Sequence, residues 1–146
     1  MSSLSPDEVA DRFEIRDLIA RYMRAIRVKD LDLMDDVFSD DAVIDYTAIG
    51  GKRASWADTK PWLGGMVLGV DLFWLYIGDM LFTFSADRSS AEVETTWHGV
   101  FVADAAAAPL IIFGSYDDRF VRTAGRWRLA ERVDRPAIQV PASPPG

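Results

Sequence analysis

Few side chains in this sequence are suited to moving protons. His98 is the only histidine, and there is no cysteine. Imidazole is the side chain most often used as a base near neutral pH. His98 lies in Thr95-Thr96-Trp97-His98-Gly99, within a strand-like run. Alternation puts Ala91, Val93, Thr95, Trp97, Gly99 and Phe101 on one face. Glu92, Glu94, Thr96, His98, Val100 and Val102 fall on the other. His98 thus marks where a face passes from acidic to apolar, as the lip or wall of a pocket does, although a lone histidine also serves as a surface residue. Tyr46 shares a strand face with Ala42 and Ile44. A buried phenol needs a hydrogen-bond partner, which is either a substrate oxygen or the backbone. Tyr116 and Asp118 alternate with Gly114 and Phe120. An aspartate among aromatics requires a partner, and Arg128 or Arg132 of the next strand can supply it, which favours a structural pair. Arg27 closes the first helix, either as an oxyanion-stabilising cation or as a charge that complements the helix dipole. Trp62, Trp74, Tyr76, Trp97 and Tyr22 either line a pocket for a ring-shaped ligand or pack as core.

No phosphate-binding loop, dinucleotide fingerprint, nucleophile elbow, zinc-protease helix or calcium loop is present. One histidine without cysteine argues against a transition-metal site, against disulfides and against thiolate chemistry. A carboxylate-only magnesium site stays open, but no cofactor or metal is expected. The 16 Lys and Arg against 23 Asp and Glu leave a net charge of −7. Nucleic acids and anionic membranes demand a basic footprint, so neither is expected as a partner. No run of about 18 apolar residues occurs, and the opening MSSLSPDEVADRFE lacks a basic-then-apolar pattern. The reading is a cytoplasmic protein.

The elements that must position these residues are helical first and extended later. Ser5-Pro6-Asp7-Glu8 forms a capping box. Ile15, Leu18, Ile19, Tyr22, Met23 and Ile26 then trace one helix face, ending near Val28. Asp30 caps a second, short helix through Phe38, and a strand follows over 42–46. A third helix is predicted over 55–67, kinked or broken by Pro61. Strands are predicted near 72–84, 91–103, 109–122 and 126–135, joined by short turns that imply antiparallel hairpins. Ile111 and Phe113 share one face of the strand near 109–122, and the run Leu110-Ile111-Ile112-Phe113 is apolar on both sides, so the outer face should be covered, and a homodimer is the simplest cover.

Several strings resemble a known family. Arg21-Tyr22, Lys29-Asp30-Leu31-Asp32 and Val37 through Tyr46 are similar to the opening of a SnoaL-like domain. Gly114 through Phe120 and Trp127 through Arg132 resemble its end. The resemblance implies one domain over residues 1–136, followed by a Pro-rich tail over 137–146. It implies an α+β fold of the nuclear transport factor 2 type. This is a cone-shaped barrel with about three helices on a curved, mostly antiparallel sheet around an apolar cavity. Relatives of that type include polyketide cyclases, scytalone dehydratase, ketosteroid isomerases, limonene epoxide hydrolase and non-catalytic binding domains, many of them free of cofactors. The common catalytic Asp and His positions correspond here to Arg27 and to Trp74-Leu75-Tyr76. Tyr46 and His98 match part of the scytalone dehydratase pattern.

Two readings follow. In one, the protein is a cofactor-independent isomerase, dehydratase or cyclase acting on a small cyclic carbonyl compound. His98 is then the base, Tyr46 and Arg27 steady the oxyanion, and Tyr22, Trp62, Trp74, Tyr76, Trp97, Tyr116 and Asp118 hold the substrate. In the other, the same cavity binds a small apolar or aromatic molecule without turnover. An epoxide hydrolase is a more distant third.

Overall fold

The structure, a computed structural model, describes residues 3–142. The first helix, α1 (Pro6–Val28), is capped by Ser5, whose side chain accepts the Glu8 N–H at 3.1 Å. It stops at Lys29, which takes a left-handed conformation (φ 59°). Its predicted stripe is buried: Ile15, Leu18, Ile19, Tyr22 and Ile26 are all at most 3% exposed. The short second helix is a single tight turn, Leu31–Met34, capped by Asp30. The chain then extends earlier than expected, in β1 (Phe38–Asp45), through β2 (Arg53–Ser55) into α2 (Trp56–Leu68). Pro61 lies inside α2 without ending it. The helix is held by its buried side, Thr59, Leu63 and Val67, rather than by a complete backbone ladder.

Four long strands follow: β3 (Leu72–Phe84), β4 (Ser90–Val102), β5 (Leu110–Thr123) and β6 (Arg126–Pro141). The six strands form one sheet in the order β2-β1-β6-β5-β4-β3. All pairings are antiparallel except that of β1 with β6, which is parallel. The sheet is mixed and does not close, so β2 and β3 remain edges of an open α+β cone. Both helices lie on its concave side. The strand β6 is longer than predicted: Ile138, Gln139, Val140 and Pro141 pair with β5, so the sheet reaches into the segment read as a tail. Residues 143–146 of that segment lie outside the described residues.

Two irregularities in β6 decide what faces inward. The pairs Arg119–Glu131 and Phe120–Leu129 leave Ala130 as an extra residue, and Phe113–Ile138 and Gly114–Pro136 leave Ala137. Each bulge reverses the inside–outside alternation. Leu129 points inward before the first bulge, and Arg132, Asp134 and Pro136 lie on the inner face after it. The outer face carries two apolar rows, Tyr76–His98–Phe113–Ile138 and Trp74–Val100–Ile111–Val140. Tyr76, Phe113, Ile138 and Val140 are 44–58% exposed. Among the described residues, no helix is long and apolar enough to cross a membrane.

Candidate functional site

An apolar cavity of about 320 Å³ opens between α1, α2 and the inner face of β3 to β6. Its wall is largely apolar: Ile26, Leu63, Met66, Phe73, Leu75 and Phe101. Exposed Ala48 and Gln139 sit at its rim. Four polar side chains converge inside, from Tyr22, Trp97, Tyr116 and Asp134.

Each is held by its element. Tyr22 projects from the inward stripe of α1, and its hydroxyl lies 2.5 Å from that of Tyr46. Tyr46 follows β1 and is wholly buried against Trp62, at a ring separation of 5.9 Å. Trp97 stacks on Tyr116 at 5.6 Å. Gly114 makes room for that indole, because a Cβ there would lie 2.6 Å from a Trp97 ring carbon. The Arg132 guanidinium lies beneath, 3.8 Å from the Tyr116 ring centre and 4.4 Å from that of Tyr22. Arg132 donates Nε to Asp118 Oδ1 at 2.8 Å and Nη2 to Oδ2 at 2.7 Å. Burial opposes the Arg132 charge, but the touching Asp118 carboxylate more than offsets it. Burial also raises the Asp118 carboxyl against the pull of Arg132. Burial keeps the Tyr22, Tyr46 and Tyr116 phenols protonated, each titrating above the ordinary phenol range.

Asp134 stands apart from this balanced set. It is 5% exposed, and its Oδ1 has no hydrogen-bond partner. Burial pushes its carboxyl up to about 7, against the attraction of Arg132. The Trp97 N–H lies close enough to lower it slightly, but its Nε1 makes no hydrogen bond of ordinary geometry. A carboxyl that titrates near neutrality in an apolar cleft can give or take a proton at little cost.

The expected site divides accordingly. Tyr22, Trp97 and Tyr116 line the cavity, and Tyr46 supports it from behind. Trp62 lies by a separate, smaller recess with Lys52 and Thr59. Asp118 does not meet a ligand, because Arg132 occupies both of its oxygens. His98 is not in the cavity. It is exposed on the convex face, stacked between Tyr76 at 5.0 Å and Phe113 at 5.9 Å. Its neighbour Trp97 takes the inner side, so alternation excludes His98 from any role as the cavity's base. Trp74 and Tyr76 share that outer face. Arg27 is exposed, one helical step past the inward Ile26, and its guanidinium lies 5.0 Å over the Trp74 ring. It cannot steady an oxyanion in the cavity. Among the described residues, no three His, Asp or Glu side chains are grouped to hold a metal ion.

Residues 7–133 match the profile of a SnoaL-like domain. The chain belongs to the SnoaL-like family. An uncharacterized protein of Mycobacterium tuberculosis H37Rv, Rv2910c, is 34% identical over 139 residues, covering 94% of this chain and 93% of its own length. Among solved structures, this SnoaL-like chain superposes on the Kfla4162 protein of Kribbella flavida with TM-score 0.79 and 24% identity, over 90% and 93% of the two chains. It superposes on hexachlorocyclohexane dehydrochlorinase LinA-type3 of Novosphingobium barchaimii LL02 with TM-score 0.81 and 16% identity, over 95% and 98%. These two likenesses establish the nuclear transport factor 2 type of fold for the SnoaL-like chain.

Proposed function

We propose that this SnoaL-like protein moves a proton on a small, cyclic, carbonyl-containing molecule, polyketide- or steroid-like in shape, without a cofactor. The observation that supports this is the free Asp134 carboxyl in an apolar cavity beside hydrogen-bond donors. In the ionised form, Asp134 takes a proton from the carbon next to the carbonyl and becomes a carboxylic acid. The C–H electron pair becomes the new C=C bond, and the carbonyl oxygen gains the negative charge. The Trp97 N–H and the Tyr22 hydroxyl, backed by Tyr46, donate to that oxygen. Return of the proton to another carbon completes an isomerisation; transfer of the Asp134 proton to a β-hydroxyl, which leaves as water while the enolate electrons form the C=C bond and restore the carbonyl, completes a dehydration. The test is solvent deuterium exchange into a panel of cyclic ketones. Asp134→Asn is expected to slow exchange at least about 100-fold. Equal rates in the two proteins would overturn the proposal.

A second reading, ligand binding without turnover, is favoured by the absence of a base at the family's two usual positions, now Arg27 and Leu75 with its neighbours. Under that reading, wild type binds the ketones but exchanges none.

The convex face also pairs two copies of the chain. Its two apolar rows contain no carboxylate, so two chains of charge −7 can meet there with least repulsion. Sedimentation at micromolar concentration is expected to show a dimer, and Phe113→Glu with Ile138→Glu should yield monomer. A wild-type monomer sinks the idea.

A further inference from the structure

We propose that the cavity is a selective site for lipophilic amines, with the protonated nitrogen seated on Asp134 between aromatic rings. This goes beyond the proton-transfer reading and does not depend on turnover. The charge balance of the pocket carries it. Arg132 and Asp118 neutralise each other through two bonds. Arg27, the cation expected in the cavity, lies outside over Trp74. Among the described residues, the groups around Asp134 are then the neutral hydroxyls of Tyr22, Tyr46 and Tyr116, the Trp97 N–H, and Arg132 with the Asp118 carboxylate that it pairs. Arg132 Nη1 has no hydrogen-bond partner, but its charge is balanced by Asp118 and it does not line the cavity, so a ligand carboxylate would meet the unbalanced Asp134.

An ammonium meets the opposite situation. The Asp134 carboxyl lines the cavity and its Oδ1 has no protein partner, so the group can accept a charge-assisted N–H bond. Trp97 and Phe73 supply electron-rich rings that attract a cation, while the Tyr22 and Tyr116 rings already carry the Arg132 guanidinium. The rest of the wall takes a hydrocarbon skeleton of bicyclic size. Desolvation that disfavours a lone Asp134 charge is relieved when that charge is paired. Amine binding is therefore linked to loss of the Asp134 proton.

The test uses a matched trio on one skeleton: 2-naphthylmethylamine, 2-naphthylmethanol and 2-naphthoate. Calorimetric titration at pH 8 in 0.5 M salt suppresses general attraction to the acidic surface. The amine should bind at least about tenfold more tightly than the alcohol, and the carboxylate at least about tenfold more weakly than the alcohol. In Asp134→Asn, the amine's advantage over the alcohol should vanish. A second readout needs no variant. At pH 7, amine binding to wild type should release about half a proton, seen as a dependence of heat on buffer ionisation, and alcohol binding should release none. An amine that binds no better than the alcohol, an advantage that survives Asp134→Asn, or binding without proton release overturns the proposal. Failure of ketone exchange alone leaves these outcomes unchanged and strikes only the catalytic reading.

Discussion

Arg132→Met is expected to destabilise the fold by about 3–5 kcal/mol, the usual cost of stranding one member of a buried ion pair. The variant leaves the Asp118 carboxylate, 2% exposed, without either of its Arg132 bonds. It also removes the cation packed against the Tyr22 and Tyr116 rings. For a domain of this size, a loss of that order lowers the melting temperature by roughly 10 °C. The double variant Asp118→Leu/Arg132→Met should recover most of the loss, because an apolar pair of similar volume has no charge to desolvate. Urea unfolding of the three proteins decides it. If the single and double variants are equally unstable, packing volume and not charge governs the position.

Asp134→Asn should raise stability at alkaline pH, in contrast to most substitutions at a buried polar residue. Asp134 titrates near 7 in the folded protein, against an ordinary value of 3.8. Between those values the folded chain holds a proton that the unfolded chain has released. Stability therefore falls as pH rises from about 4 to about 7, and the loss is complete above the folded value. A separation of about three pH units sets a ceiling of about 4 kcal/mol. Asparagine does not ionise, so at pH 8 the variant should exceed wild type by about 2–4 kcal/mol, and at pH 4 the two should converge. Denaturant melts at pH 4 and pH 8 measure this. A wild type at least as stable as the variant at pH 8 would show that the carboxylate finds a partner when ionised.

The same aspartate shows where reading the sequence runs out. Helix α1 is legible to the residue, since its cap, buried stripe and end all follow from local rules. The long strands β3, β4 and β5 and the hairpins between them are also legible within a residue or two, while β6 runs six residues past its predicted end. Faces of β4 are assigned correctly, with Trp97 opposite His98. Which face bounds the cavity is not legible, because Trp74, Tyr76 and Phe113 make the convex side as apolar as the concave one. In β6 the difficulty is parity. Counting in twos from Trp127 and Leu129 turns Arg132 and Asp134 toward solvent, within a string as charged as Glu131-Arg132-Val133-Asp134-Arg135. The extra residue at Ala130 turns them inward, and nothing in Leu129-Ala130-Glu131 marks a bulge. Arg132 is reachable through the needs of Asp118. Asp134 has no protein partner to announce it, and that same isolation makes it available to a ligand.

The parallel pairing of β1 with β6 bears on how the molecule is made. A ribosome releases α1, β1 and α2 well before β6, so the amphipathic helix and an open strand edge must wait in the nascent chain for a partner. The hairpins of β3, β4 and β5 can zip as they emerge. The cone gains its ridge only when β6 slides between β5 and β1. Such late, distant closure slows folding and lengthens exposure to off-pathway association. Because Arg132 and Asp134 ride on that final strand, Asp118 of β5 gains its counter-ion in the same step that seals the interior.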